Sequence, residues 1–106
     1  MTEKLENPPL RRLGNPQVQE FILNRHIKPE DFYLIEELLG FPQRLIIMNL
    51  HNTFNMLHER AVPDLRNVAQ VVKDPESKKL YSLAADFAEK YDWAVAWNLI
   101  RILEEI

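Results

Sequence analysis

Residues 42–62 read PQRLIIMNLHNTFNMLHERAV, a helix-compatible stretch near the middle of the chain with no internal Pro or Gly. Projected at about 100° per residue, Ile46, Ile47, Leu50, Phe54, Leu57 and Ala61 fall on one side. The resulting apolar sector is about 100° wide, the width of a helix that faces a core. Leu45, Met48 and Met56 lie outside that sector, so the helix is expected to have neighbours on more than one side. The stretch is therefore read as the central helix around which the rest packs.

Working outward, the prolines divide the chain. Pro16, Pro29, Pro42, Pro63 and Pro75 each stand just before a run with helical periodicity. Proline is tolerated at a first helical position because the amide it lacks would have no intrahelical acceptor there. Asn15-Pro16 pairs an N-cap residue with such a start and opens a helix expected over 16–27, with Val18, Phe21 and Ile22 as its main stripe. Pro29-Glu30-Asp31 places anions in a first turn, where the helix dipole favours them, and Gly40 closes that second helix. Pro63-Asp64 opens a short segment with Leu65, Val68, Ala69 and Val72, and Asp74-Pro75-Glu76 repeats the cap signal ahead of a helix over 75–91. Asp92, a strong N-cap type where the apolar stripe changes direction, separates that helix from a last one over 92–106.

No run alternates with a period of two, and the chain has only 2 glycines, so the expected fold is all-α. The architecture is a compact bundle of five to six short helices punctuated by prolines, ending in a C-terminal helical hairpin. Residues 1–14, with Pro8-Pro9, mixed charge and Gly14, read as a flexible N-terminal arm, and 15–106 as a single helical domain.

The bulk chemistry narrows the class. The 106 residues suffice for one core, and with no Cys neither disulfides nor thiolate chemistry arise, which fits a reducing, cytoplasmic setting. No stretch approaches the apolar length of a membrane span, and the first residues lack the apolar centre of a signal peptide. A net charge of −3 argues against generic polyanion binding. Charge is unevenly placed: residues 1–28 hold five cations against three anions, while 29–40 hold Glu30, Asp31, Glu36 and Glu37 alone.

The last helix carries the main functional expectation. Trp93, Ala96, Trp97, Ile100 and Leu103 form one apolar face, and Val95, Leu99, Ile102 and Ile106 a second. A terminal helix apolar on two sides needs two covers. The reading is a non-enzymatic protein-interaction module, an adaptor or regulatory subunit, self-associating as a homodimer through Trp93, Trp97, Leu99, Ile102 and Ile106. Tryptophan is enriched among residues whose truncation most weakens interfaces.

Chemistry-bearing patterns are sparse. His51, Asn55 and His58 share one side of the central helix, but the two imidazoles are seven residues, about 10.5 Å, apart. That is long for one tetrahedral ion, and they read as a polar boundary stripe rather than a metal site. Ser77 and Ser82 have neither a glycine-rich elbow nor a phosphate loop nearby, so no catalytic residue, metal or cofactor is assigned.

Two segments resemble known families. Residues 68–80, VAQVVKDPESKKL, resemble the helix-turn-helix of bacterial DNA-binding regulators, with Ala69 at the helix crossing; Lys73 stands where the turn glycine is usual. That resemblance implies an alternative, a DNA-binding regulator using residues 64–90, with Lys78, Lys79 and Tyr81 reaching phosphates or base edges. Leu80, Leu83, Ala84, Phe87, Ala96, Ile100 and Leu103 resemble the spacing of signature positions in a tetratricopeptide repeat, with Tyr91-Asp92-Trp93 at its turn. That resemblance implies two antiparallel helices in close contact and a protein-binding role.

Overall fold

The computed structural model describes residues 14–50 and 58–105, with the backbone alone for His58. Its helices are α1 (Pro16–Asn24), α2 (Phe32–Leu39), α3 (Gln43–Leu50), α4 (Ala61–Val71), α5 (Pro75–Tyr91) and α6 (Trp93–Glu105). Two 3-10 turns, Pro29–Asp31 and His58–Arg60, lead into α2 and α4. The described residues contain no strand, and the fold is an all-α bundle. The arm expected over 1–14 lies outside the described residues as far as Leu13.

The hub is α5, not the 42–62 stretch. It is the longest helix, and α2, α3, α4 and α6 all pack on it. Leu80, Tyr81, Leu83, Ala84, Ala85, Phe87 and Ala88 are all buried, so apolar residues occupy far more than one stripe. The runs of alanine let neighbouring helices approach closely, while Phe87 fills the centre with its ring 6.2 Å from Phe21 and 5.0 Å from Tyr91.

The 42–62 stretch departs from its expected single helix. Its described parts are α3 and the entry to α4; residues 51–57, with His51, Asn55 and Phe54, lie outside the described residues. Within α3, Ile46 and Leu50 are fully buried, but Ile47 is 42 % and Met48 66 % exposed. The inward face is thus rotated from the predicted sector: Ile46 and Leu50 are flanked by half-buried Leu45 and Asn49 rather than by Ile47. Pro63 does not begin a helix either, since α4 starts at Ala61. A proline in the first turn sacrifices no intrahelical hydrogen bond, because the first four amides have none.

The first helix stops at Asn24, short of the expected 27, by a left-handed closure. His26 has φ 55°, its N–H reaches the Leu23 carbonyl at 3.4 Å, and the Ile27 N–H reaches the Ile22 carbonyl at 3.1 Å. This is the paired bonding of a Schellman motif, completed by burial of both Ile22 and Ile27. The left-handed position usually falls to glycine; here an exposed histidine fills it. Gly40, by contrast, caps α2 at φ −74°, a conformation any residue adopts.

Two helix starts follow the cap signals in the sequence, whereas Pro29 opens a 3-10 turn and α2 begins only at Phe32. The Asn15 side chain accepts from the Gln17 N–H at 2.8 Å, and the Asp74 carboxylate accepts from the Ser77 N–H at 3.0 Å and its hydroxyl at 2.9 Å. Asp92 alone joins α5 to α6, with φ 102°. A one-residue reversal needs such a torsion, and the side chain offsets part of its strain by accepting from the Ala94 N–H at 3.4 Å.

Two stability predictions follow from these termini. Replacing Asp74 with Ala removes the cap of the hub helix and should cost about 1–2 kcal/mol in urea unfolding. At exposed His26, His26→Gly should hold or raise the midpoint, while His26→Val should lower stability by about 1–2 kcal/mol, because a β-branched residue resists positive φ.

Candidate functional site

The interface residues expected on α6 divide in two. Trp93 and Leu99 are buried within their own chain, as are Ala96, Ile100 and Leu103. Trp93 stacks tilted on Trp97 with centroids 6.0 Å apart. Trp97 and Ile102 remain half-buried, packed at the edge of the core, and Ile106 lies outside the described residues. The described part of α6 packs against α5, α3 and α1, which cover much of its apolar surface. All seven positions that carry the tetratricopeptide likeness are buried, as two closely packed helices require.

What α6 leaves open is a groove against α1, about 500 Å³ in volume. Its apolar floor is Phe21 and Ile102. Three amide side chains, Gln17 and Asn24 on α1 and Asn98 on α6, stand along it. Its charged groups are Arg25, Arg101 and Glu20. The spacing is helical: positions 17, 20/21 and 24 line one face of α1, and 98 and 101/102 one face of α6. Among the described residues neither Arg25 nor Arg101 forms an ion pair. Among the described residues expected at the interface, Ile102 alone lines this groove. Phe21 was read from sequence only as part of the core stripe of α1, and the six polar lining residues were not singled out, because each is an ordinary surface residue until two helices far apart in the chain meet.

The expected DNA-contacting residues do not form one surface. Tyr81 is 8 % exposed and its hydroxyl donates to the Asn49 carbonyl at 2.6 Å; burial raises its pKa. Lys79 pairs with Glu37 at 3.3 Å, and Lys78 is exposed. Further along α5, Asp86 and Glu89 both hold Arg66 of α4, at 2.9 and 2.7 Å, and these bonds raise the guanidinium pKa. A groove-reading helix must offer one whole face to the duplex. The face that α5 leaves open carries Lys78 and Lys79 near its start but Asp86 and Glu89 further along, and Tyr81 is turned away from it into the core.

Two polar clusters lie at the ends of α5. Ser77 is buried; its hydroxyl donates to Asp74 and accepts from the Asn49 amide at 3.2 Å, joining α3 to the start of α5. With its proton committed to a cap it is not poised as a nucleophile. At the other end of α5, Asp31, 6 % exposed, accepts from the Tyr91 hydroxyl at 2.5 Å and lies 3.5 Å from the Lys90 ammonium. That same hydroxyl accepts from the Lys28 N–H at 3.0 Å. The Tyr91 bond, and then Lys90, hold the Asp31 carboxyl below its ordinary pKa against the opposing effect of burial. Burial first, and the neighbouring carboxylate second, push the Tyr91 phenol up. The cluster is a latch between the turn before α2 and the end of the hub. Among the described residues no three His, Asp or Glu side chains gather as metal ligands; His51 and the His58 side chain lie outside them. Among the described residues no helix is long and apolar enough to cross a membrane.

The chain matches no protein-family model, no curated protein and no solved structure.

The latch sets a pH dependence. A depressed carboxyl pKa contributes stability that is fully present above the unfolded value of 3.8 and is lost as pH falls through the folded value. A raised phenol pKa works in the other direction, its contribution being lost as pH rises beyond 10.0. Tyr91→Phe, which removes only the hydroxyl, should therefore flatten both the acid limb below 3.8 and the alkaline limb above 10.0 in a urea-midpoint profile. Unchanged limbs in the variant would show that the latch carries no linkage.

Proposed function

We propose that the protein is a non-enzymatic interaction module, an adaptor or regulatory subunit, that receives a protein partner in the α1–α6 groove. The observation that carries this is the groove's composition: an apolar floor, three amides and two guanidiniums that form no ion pair among the described residues, brought together by elements distant in sequence. Grooves with an apolar base and a few convergent polar groups are where ligands settle. The two described polar clusters at the ends of α5 are already engaged in a helix cap and a latch, which supports binding rather than catalysis.

Self-association through α6 is the second reading, favoured by the half-buried Trp97 and Ile102. It has less surface than the sequence promised, because Trp93 and Leu99 are internal. Stable interfaces bury about 1,200–2,000 Å² in total, far more than two partly covered side chains supply.

Light scattering over a range of concentration should give the mass of a single chain. A photo-crosslinking residue at Asn98 should trap a heterologous protein from the native host that the same group at Val71, outside the groove, does not. A crosslinked species of two identical chains, with a dimeric mass abolished by Ile102→Glu, would favour the homodimer instead. Identical adducts from both positions, or none, would count against the groove. Steeply salt-dependent duplex binding lost in Lys78→Ala with Lys79→Ala would revive the DNA-binding reading.

A further inference from the structure

The groove's chemistry specifies more than that something binds. Gln17 and Asn24 lie two helical turns apart on α1, about 10 Å along the axis. That distance matches about three residues of extended chain. An amide side chain both donates and accepts, so it can bond the N–H and C=O of a peptide backbone lying along it. Asn98 offers the same pair of groups from the opposite wall. Between the walls, half-buried Ile102 and the edge of the buried Phe21 form a small apolar base beneath such a segment.

Charge then selects the occupant. Arg25 and Arg101 outnumber Glu20, and neither guanidinium meets a carboxylate of its own chain among the described residues. The planar guanidinium fork takes a carboxylate through two parallel hydrogen bonds, which gives direction as well as attraction. Two cations are too few for a nucleic-acid backbone, whose binding rests on neutralising many phosphates, and the whole chain carries −3.

Resting on the interaction-module reading, we propose that the groove takes an extended peptide segment of a partner protein bearing acidic side chains. Gln17, Asn24 and Asn98 hold its backbone, and Arg25 and Arg101 hold its carboxylates. The probe is a short fluorescein-labelled oligoglutamate titrated with the full chain, followed by fluorescence polarisation. Saturable binding that weakens with added salt is expected, and Arg25→Glu with Arg101→Glu should lower affinity by about tenfold or more. Both positions are exposed, so circular dichroism should show an unchanged fold in the double variant. Asn98→Asp should weaken binding in the same direction. The proposal is overturned if oligoglutamate does not bind, if oligoglutamine binds as well, or if the double variant binds as the parent does. Equal binding of single-stranded DNA would also overturn it, showing a general polyanion site. Should oligoglutamate fail while Asn98 still crosslinks a partner, the acidic-peptide assignment falls and the interaction-module reading stands. Should both fail, the reading falls with it.

Discussion

A helix buried over more than half of its circumference is not held by a single neighbour, and α5 is such a helix, with one polar face, Lys78, Lys79, Ser82, Asp86 and Glu89, left towards water. Its alanines and Phe87 become favourable only when α2, α3, α4 and α6 cover them together. Each fully buried large side chain contributes about 1.5–3 kcal/mol through burial, so Leu80 and Phe87 gain their contributions only once several neighbours are in place. The other elements are short, most of them eight to thirteen residues, and helices of that length are marginal by themselves. The hub and its cover are thus mutually dependent.

Polar contacts fix how the cover sits. They are concentrated at the two ends of α5. At its start, Asp74, Ser77, Asn49 and the Tyr81 hydroxyl tie in the end of α3; at its finish, Tyr91, Asp31 and the Lys28 amide tie in the turn before α2. Between them, Arg66 bridges α4 to Asp86 and Glu89. Hydrophobic burial is indifferent to small rotations of a helix about its axis. Directional hydrogen bonds are not, and these select one arrangement. The Gln43 side chain adds a bond to the Glu104 carbonyl, holding the start of α3 to the end of α6.

The same packing explains why the functional expectation moved. An apolar excess on the last helix signals a need for cover, but sequence does not say who supplies it. In this fold the chain supplies most of the cover itself, and the surface left beside α6 is mixed in character rather than greasy. Mixed surfaces suit reversible recognition of a polar segment better than permanent assembly, whose interfaces resemble a divided core.

Local rules determined much of this protein. Proline and cap signals at Asn15-Pro16 and Asp74-Pro75, and the reversal at Asp92, were legible because each depends on residues a few positions apart. The tertiary structure decided what local rules leave open. It made α5 the hub rather than residues 42–62, because periodicity measures how much apolar surface a helix offers, not how many partners accept it. It exposed Ile47 and Met48 and enclosed Trp93 and Leu99, because which apolar edge faces inward depends on where neighbouring helices cross. It placed a histidine in the left-handed closure of α1, a torsion that composition does not announce. And it assembled the groove, because Gln17, Asn24, Arg25, Asn98 and Arg101 are unremarked surface residues until helices more than seventy positions apart come to lie side by side.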